Sequence, residues 1–351
     1  MTTSVLRLDT VRDQFTPDPG FFNTASLGAP PRATVDAVRA AVDAWSYGRA
    51  TAGDFDVSVV GAREAFARIA GVPASSVAAG ATVSPLVGLI AAAVPDGAEV
   101  LVADDDFTSL LFPFAAQAGR GVTLRSVPLA SLPGEVREST ALVAVSAVQS
   151  ADGALLDLAA LRTAVEATGA QLLLDTTQAT GWLPLDLTWV DYAVCGAYKW
   201  LLSPRGSSFL VVRPDRLDSL VPHAANWYAG ADIWASIYGL PLRLASDARR
   251  FDTSPAWFSW VGTATSLSLL ADLDADEVHA HDVALANRLR AGLGLPPGAS
   301  AIVSAPVDAA GQERLRAAGI RTAIRAGAVR FSCHLYTTEA DVDLALNALA
   351  G

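Results

Sequence analysis

The central part of the chain alternates short apolar runs with longer segments of helical periodicity. Six runs have the length of β-strands, and they are Glu99–Ala103, Val122–Val127, Leu142–Ser146, Gln171–Asp175, Tyr192–Gly196 and Ser208–Val212. They are apolar almost throughout, which is typical of parallel strands buried on both faces. Amphipathic segments such as Thr108–Gln117 and Asp157–Thr168 lie between them. The pattern predicts an α/β fold with a mostly parallel, doubly wound sheet.

The pattern changes on both sides of this central part. Further segments of helical periodicity are Ala33–Tyr47, Ser58–Ile69, Pro85–Ala93, Trp257–Leu273 and Glu277–Gly292. The stretch Asn226–Leu240 has no clear period and predicts loops with short helices. A strand candidate, Ala328–Ser332, precedes a last helix, which Thr338 and Asp341 open with the spacing of a capping box. This change predicts a domain boundary between residues 240 and 260.

Composition narrows the class of protein. A chain of 351 residues with 52% hydrophobic residues can bury a large core, which disordered chains cannot do. A net charge of −11 argues against nucleic acid as a partner, because phosphates require a basic surface. The longest apolar stretches, such as Leu86–Val94, are too short to span a bilayer, and the N-terminus lacks the pattern of a secretion signal. We expect a cytoplasmic protein that binds neither nucleic acid nor membrane.

Cysteine and histidine usage predicts no metal site. Cys195 and Cys333 are the two cysteines of the sequence, too few for a disulfide framework or a zinc knuckle. The four histidines show no convincing metal-binding spacing, and His279 and His281 do not share a helix face.

The chain has 24 arginines and a single lysine, Lys199. Arginine enrichment fits a GC-rich genome, in which a surviving lysine is often one that arginine cannot replace. Arginine stays protonated in proteins, whereas lysine can lose its proton and act as a nucleophile or base. The alternative is that Lys199 survives by chance on the surface.

The position of Lys199 favours a chemical role. Lys199 follows the predicted strand Tyr192–Gly196, and Asp175 ends the predicted strand before it. Ligands of open α/β sheets bind at this carboxyl edge. A carboxylate there can keep the pyridine nitrogen of pyridoxal 5′-phosphate (PLP) protonated, while a lysine forms the Schiff base with its aldehyde. An Asp175–Lys199 ion pair without a cofactor is the alternative.

The run LLLDTTQATGWLPLDLTWVDYAVCGAYKWLLSPRGSSFLVVRP resembles the cofactor segment of class V aminotransferase-like enzymes, the group that includes cysteine desulfurases and isopenicillin N epimerases. Blocks at Phe21–Pro31, Arg249–Gly262 and Ala328–Asp343 also resemble that family, in the expected order. The resemblance implies PLP fold type I, with a seven-stranded-type sheet in a large domain, residues 21–250. Residues 1–20 and 251–351 would form a smaller α+β domain, and two chains would form a homodimer with the active site at the interface.

The resemblance also implies the cofactor contacts. Lys199 is the Schiff-base lysine, Asp175 faces the pyridine nitrogen, and Gln178 binds the phenolic oxygen. Tyr198 reaches the phosphate in place of the commoner histidine. For Tyr198 and for Gln149, discussed next, an ordinary buried polar residue remains the alternative.

Other expected contacts lie further from the lysine. Ala81 and Thr82 belong to a small-residue loop before a helix, which presents N–H groups and a positive dipole end to the phosphate. Such loops are more often ordinary helix N-termini than phosphate sites. Here the position of the loop in the order of motifs, ahead of Asp175 and Lys199, favours a phosphate site. Phe107 stands where the family stacks an aromatic ring on the pyridine, and it cannot transfer protons. Gln149 occupies a segment whose polar residue reaches the cofactor or substrate. Ser254, or else Thr253, would cross the dimer to the neighbour's phosphate.

The substrate side depends on Arg330. In the family an arginine of this block binds the substrate α-carboxylate with a planar, bidentate guanidinium. Asn23 would approach the substrate from the N-terminal segment. Arg321 and Arg325 lie nearby in sequence, and they either contact a second acidic group or are ordinary exposed arginines.

The resemblance implies chemistry at Cα of a small amino-acid substrate, with Lys199 as the base. Transamination is the first expectation, with a C–S or β-elimination lyase or an epimerase as the alternative. Cysteine desulfuration is disfavoured, because the segment Gly319–Ala328 ahead of Arg330 is short and lacks cysteine. A binding or regulatory protein that kept the fold without catalysis would not explain why the single lysine is retained. A nucleotide-binding α/β protein is also disfavoured, because the sequence has no nucleotide-binding glycine motif.

Overall fold

A computed structural model describes residues 6–350 and contains one large sheet in that range. Its seven strands are β1 Val77–Gly80, β2 Glu99–Ala103, β3 Thr123–Val127, β4 Thr140–Ser146, β5 Gln171–Asp175, β6 Tyr192–Gly196 and β7 Ser208–Val212. Their order across the sheet is β1-β7-β6-β5-β4-β2-β3. Strand β7 runs antiparallel to both of its neighbours, and the other pairs are parallel. The mostly parallel sheet predicted from the sequence is therefore confirmed.

Ten α-helices accompany the strands in the described residues. They are α1 Leu8–Val11, α2 Arg32–Ser46, α3 Asp56–Ala70, α4 Val83–Ala93, α5 Thr108–Ala115, α6 Leu158–Thr168, α7 Trp257–Ala271, α8 Ala275–Gly292, α9 Ala309–Ala317 and α10 Glu339–Ala350. Each α-helix that the sequence pattern predicts is present, and its ends lie within a few residues of the predicted bounds. The predicted loop region carries short 3₁₀ helices at Trp227–Ala229 and Trp234–Ser236.

Both faces of the large sheet are buried, which explains the nearly continuous apolar strands. Along β5, Leu172 and Leu174 join a core cluster that includes residues of α3, α6 and α7. Leu173, between them, joins a second cluster with residues of α4 and α5 on the other face. Successive side chains of a strand point to opposite faces, so a strand between two helical layers must be apolar at every position.

A second, smaller sheet lies in the C-terminal part of the chain. Its antiparallel strands are β8 Ile302–Ala305, β9 Ala323–Arg325 and β10 Ala328–Ser332, in the order β8-β10-β9. Val329 and Phe331 of β10 enter a third core cluster together with residues of α8, α9 and α10. The predicted capping box is also confirmed, because Thr338 and Asp341 exchange side-chain and backbone hydrogen bonds before α10.

The N-terminal segment crosses to the C-terminal part of the chain. Leu6 forms a bridge with Leu273, and the Leu8 N–H donates to Glu277 at 3.1 Å. Further along, Gly28 passes so close to the loop after β6 that a Cβ there would lie 2.0 Å from the Lys199 carbonyl oxygen. The segment is thereby held against the carboxyl edge of the large sheet. The proposed division into domains at residue 250 stays a prediction. No helix in residues 6–350 is both long and apolar enough to cross a membrane.

Candidate active site

A cavity of about 160 Å³ lies at the carboxyl ends of β4, β5 and β6, beside the start of α4. We refer to it as the site cavity. Its lining residues are Thr82, Val83, Ser84, Phe107, Ser109, Ser146, Ser150, Asp175, Thr177, Gln178, Tyr198, Lys199 and Arg205. Six predicted site residues are among them: Thr82, Phe107, Asp175, Gln178, Tyr198 and Lys199. The other five, Ala81, Asn23, Gln149, Ser254 and Arg330, do not line the site cavity of the single chain.

The Lys199 side chain is buried and has no carboxylate partner. It is 6% exposed, and in the described structure no carboxylate oxygen lies within 4.0 Å of Nζ. The nitrogen instead lies 5.3 Å from the ring centroid of Phe107 and 5.7 Å from that of Tyr198. Burial lowers the pKa of Lys199 to about 8, although the charge of Asp175 opposes this shift. Lys199 is therefore not a surface residue, and the alternative of a direct ion pair with Asp175 is not observed.

Asp175 is a buried carboxylate with one oxygen engaged by the chain. Its Oδ1 accepts a hydrogen bond of 2.8 Å from the Thr177 N–H. Burial raises the pKa of Asp175, and the Thr177 contacts oppose the rise. A buried carboxylate needs a cationic or protonated partner. A protonated pyridine nitrogen in the site cavity meets that need, so this residue fits a bound PLP.

The carboxylate of Asp106, which sequence reasoning missed, organises the wall beside Asp175. It is 4% exposed and accepts hydrogen bonds from the Ser146 N–H and hydroxyl at 2.8 and 2.6 Å. It also accepts from the Phe107 N–H at 2.6 Å and from Gln149 Nε2 at 3.1 Å. The Gln149 side chain is thus directed to Asp106, and Ser146 and Ser150 are the residues of that segment that face the site cavity. Asp106 is the last of three consecutive aspartates after β2, and nothing in the sequence singled it out.

Thr82 occupies the N-cap position of α4, and its side chain makes no capping hydrogen bond. The first N–H groups of a helix have no acceptor within the helix, so this end of α4 can bind an anion. Ala81 is exposed and lies just outside the lining. Thr82, Ser84 and the α4 N-terminus therefore form one polar end of the site cavity.

Arg205, another residue that sequence reasoning missed, also lines the site cavity. Its guanidinium carbon is 5.2 Å from the ring centroid of Tyr198. In residues 6–350 its guanidinium has no carboxylate within 4.0 Å. Burial raises the pKa of Tyr198, and the charge of Arg205 opposes the rise. The site cavity thus contains a cation without a carboxylate partner, in a protein of net charge −11.

Arg330 lies behind Ser150, on the face of β10 opposite to Val329 and Phe331, as the strand pattern predicts. It is 2% exposed, and its Nη2 donates to the Ser26 hydroxyl at 2.8 Å. Its Nη1 donates to the Ser150 carbonyl and, at 3.2 Å, to the Ser150 hydroxyl. Burial lowers the pKa of Arg330 to about 10, with a contribution from the charge of Arg325. No carboxylate balances this buried cation in the described chain.

Asn23 and Ser254 stand apart from the site cavity. Asn23 forms a bridge with Ser332, two residues after Arg330 along β10, and its buried Oδ1 has no hydrogen-bond partner. Ser254 is exposed and follows Asp252, which forms a buried ion pair with Arg63. The expected contact of Ser254 with a second subunit stays a prediction.

Both cysteines are buried, and neither lines the site cavity. Burial raises the pKa of Cys195 to about 12 and raises that of Cys333 well above its ordinary value. A thiolate is the reactive form of cysteine. Neither residue therefore has the exposure or ionisation of a nucleophile.

The fold and this lysine–aspartate site define a PLP-dependent enzyme of fold type I. The family model "Aminotransferase class-V" matches residues 51–312, and the chain belongs to this family of PLP-dependent enzymes. The sequence-based recognition of the family, the fold class and the cofactor is confirmed.

Named relatives differ in the reaction they are named for. Isopenicillin N epimerase of Streptomyces clavuligerus is 29% identical over 340 residues, covering 83% of this chain and 84% of that protein. An uncharacterized aminotransferase, YcbU of Bacillus subtilis, is 30% identical over 232 residues, covering 63% and 60%.

Solved structures show the same fold. The cysteine desulfurase CsdA from Escherichia coli superposes with a TM-score of 0.83 at 18% identity, covering 99% of this chain and 98% of that chain. The cystine C–S lyase C-DES, in complex with cysteine persulfide, superposes with a TM-score of 0.85 at 22% identity, covering 95% and 97%.

Proposed function

We propose that this chain catalyses a PLP-dependent reaction at Cα of an amino acid, and that transamination is that reaction. One observation carries the proposal: the lone lysine of the sequence lies buried in the site cavity without a carboxylate partner, with a pKa of about 8. Such an amine is partly neutral near physiological pH, and the neutral amine is the nucleophile and the base.

The lining residues suit the parts of PLP. Asp175 would hold the protonated pyridine nitrogen, and the Phe107 ring would cover one face of the pyridine. Thr82, Ser84 and the start of α4 would bind the phosphate, and Arg205 would supply a positive charge there. Bound PLP acts as an electron sink that makes the Cα–H bond of an attached amino acid acidic.

Lys199 would then move the proton. Burial in the site cavity lowers the pKa of the Lys199 amine to about 8. This pKa suits a general base near neutral pH. Phe107 opposite carries no exchangeable proton, and no histidine lines the cavity in the described residues. Transamination needs one base on one face, whereas inversion of Cα needs a proton delivered to the other face. The single amine therefore favours transamination.

The alternatives are an epimerase and a C–S or β-elimination lyase. Epimerisation is supported by the likeness to isopenicillin N epimerase over 83% of this chain. A lyase activity is supported only by the shared fold. Cysteine desulfuration is disfavoured, because neither cysteine lines the site cavity and burial raises the pKa of both.

The substrate carboxylate would bind at Arg330. This buried guanidinium lacks a carboxylate partner within the described chain, and two serines orient it. The planar fork of an arginine matches an α-carboxylate in a bidentate manner. Asn23, whose buried Oδ1 is unpaired, would contact the substrate from the N-terminal segment.

The test begins with absorbance of the purified protein after addition of PLP. The wild-type chain is expected to develop a visible band from the covalently bound cofactor, and Lys199→Ala is expected to lack it. An unchanged band in Lys199→Ala would contradict the assignment of the lysine.

The reaction type is tested with a panel of amino acids. A transaminase releases a 2-oxo acid and recovers its original spectrum when a second 2-oxo acid is added. An epimerase instead changes the chirality of the amino acid in deuterated water without loss of nitrogen, and a lyase releases ammonia or a thiol. Either of these results without transamination would overturn the first choice.

A homodimer with Ser254 reaching the partner's phosphate and a role in amino-acid metabolism belong to the same proposal. A cytoplasmic location and the lack of nucleic-acid and membrane partners stay predictions from composition.

A further inference from the structure

The hairpin formed by β9 and β10 presents two arginines on one face. Arg325 pairs with Ala328, and Arg330 pairs with Ala323, in the antiparallel register. Paired residues share a face of the sheet, as do residues two apart along a strand. Arg325 therefore projects on the same face as Arg330, away from the small-domain core that contains Val329.

The turn of this hairpin fixes the position of Arg325. Ala326 and Gly327 both have positive φ, 45° and 79°, so the hairpin closes through two residues. This conformation is typical of the tightest hairpin turns, and alanine adopts it less readily than glycine. A turn of this kind holds the residue before it in the strand register.

The charge of Arg325 has no carboxylate partner in the described residues, and it acts on two residues of the proposed site. It is exposed, and in residues 6–350 its guanidinium makes a single hydrogen bond, 2.7 Å to the Ile324 carbonyl, with no carboxylate within 4.0 Å. Its field lowers the pKa of Arg330 and, as a minor contribution, that of Lys199. The protein has 36 acidic residues and 25 basic ones. In the described residues Arg325 nevertheless has no carboxylate partner, and its charge acts on two other basic residues, Arg330 and Lys199.

We propose that Arg325 binds the second acidic group of a dicarboxylic amino acid whose α-carboxylate is held by Arg330. This inference rests on the proposed function, since it assumes an amino-acid substrate at Lys199. Strand spacing places the Cα atoms of the two arginines roughly 8 Å apart. Two extended arginine side chains at that separation can hold the two ends of one diacid.

The test compares acidic amino acids with neutral amino acids of similar chain length on the holoenzyme. L-Glutamate, L-aspartate and L-2-aminoadipate are titrated against L-glutamine, L-asparagine and L-norleucine, with Kd read from the change in cofactor absorbance. The wild-type holoenzyme is expected to bind at least one diacid about tenfold more tightly than its neutral counterpart, as one charge-assisted hydrogen bond provides.

Two variants separate this subsite from a general effect of charge. Arg325→Gln is expected to weaken diacid binding about tenfold and to leave neutral amino acids within about twofold. Arg49→Gln removes the same charge from an exposed position after α2 and is expected to change neither. Equal loss in both variants, or no preference for diacids in the wild type, would overturn the inference.

Failure of the proposed function gives a different result. If the holoenzyme binds no amino acid at all, the Cα reaction and the diacid subsite both fail. If neutral amino acids bind and react while diacids gain nothing, the Cα reaction stands and only the role of Arg325 is wrong.

Discussion

The indole of Trp200 donates a hydrogen bond of 2.8 Å to Oε1 of Gln178. Because an indole N–H can only donate, this contact fixes the orientation of the amide. Nε2 of Gln178 then faces the Ala25 carbonyl and the Ser150 hydroxyl, each at 3.0 Å. Trp200 directly follows Lys199. Through Gln178, the loop that carries the lysine is therefore connected to Ser150, which also accepts a hydrogen bond from Arg330.

The first prediction concerns this contact. Trp200→Phe leaves the buried Oε1 of Gln178 without a donor, which should lower the free energy of unfolding by about 1–3 kcal/mol. It should also shift the absorbance of bound PLP, because the Gln178 amide can then rotate. Urea unfolding and the holoenzyme spectrum measure the two effects.

Trp182→Phe is the matched control for Trp200→Phe. Trp182 is equally buried, and its indole donates to the backbone carbonyl of Gln178 at 2.6 Å. Its loss should destabilise the protein to a similar degree without changing the cofactor spectrum. An identical spectral change in both variants would show that packing, and not the amide, is responsible.

The second prediction concerns the pH dependence of cofactor attachment. Burial lowers the pKa of Lys199 from 10.5 to about 8 in the folded chain. Between these values the unfolded chain binds more protons at this residue, so the folded apoprotein gains stability as pH rises from about 8 to 10.5. The neutral amine attacks the aldehyde, so the rate of PLP attachment should rise with pH to a plateau, with its midpoint near 8.

Asp175→Asn tests the cause of that midpoint. The charge of Asp175 raises the pKa of Lys199 against the effect of burial. The variant should therefore attach PLP with a midpoint below that of the wild type. A midpoint near 10.5 in the wild type would mean that Lys199 is solvated, contrary to its 6% exposure.

The third prediction concerns Arg205 and the phosphate. Arg205→Gln should raise the Kd for PLP about tenfold, since it removes a charge partner for a dianion. Arg49 provides a control, because it is exposed and stacks on Tyr47 at 4.7 Å in the same manner. Titration of each apoprotein with PLP measures the effect, and equal affinities of the two variants would place Arg205 outside the phosphate site.

Much of the fold was predictable because the buried strands carry a strong local signal. Strand β5, for example, has the predicted bounds Gln171–Asp175, since an apolar run between two helical layers leaves few alternatives. Strand β1 was missed because Val77–Gly80 is four residues of small side chains, which favour strands little. Its place comes from antiparallel pairing with β7, a contact 130 residues away that no local pattern encodes.

The residues of the candidate site also differ in how far the sequence predicts them. Asp175 and Lys199 were predictable, because each follows a recognisable strand and carries a group whose burial needs a chemical reason. Arg205 and Asp106 were not, since their positions depend on how loops fold over the sheet. The Gln149 side chain hydrogen-bonds Asp106, whereas Ser146 and Ser150 of the same segment line the site cavity, and this choice among side chains depends on the fold.

The fourth prediction concerns the carboxylate-binding arginine. Arg330→Lys retains a charge but cannot bond Ser26, Ser150 and a substrate carboxylate together, because an ammonium lacks the planar fork. KM for the amino-acid substrate should rise tenfold or more, with the cofactor absorbance retained. Ser26→Ala removes one orienting contact and should raise KM only a few-fold. An unchanged KM in Arg330→Lys would mean that the carboxylate binds elsewhere.

The fifth prediction concerns the buried ion pair next to β1, which precedes the proposed phosphate loop. Asp252 is 0% exposed, binds Arg63 at 2.5 Å and accepts the Ala79 N–H at 2.7 Å. Asp252→Asn leaves Arg63 as a buried, unpaired charge, which should lower the free energy of unfolding by about 3–5 kcal/mol. The Thr253 N–H also bonds the Ala79 carbonyl at 3.2 Å, so the change should loosen the adjoining segment that leads to Ser254.

Asp272→Asn is the control for this ion pair. Asp272 pairs with Arg68 at 2.9 Å, but both side chains are about one-third or more exposed. Solvent screens such a pair, so its loss should cost at most about 1 kcal/mol. Urea unfolding of the two variants at neutral pH measures the difference. Equal losses would show that water reaches Asp252 in solution, and the segment before Ser254 would then lack the rigid anchor that a contact across a dimer requires.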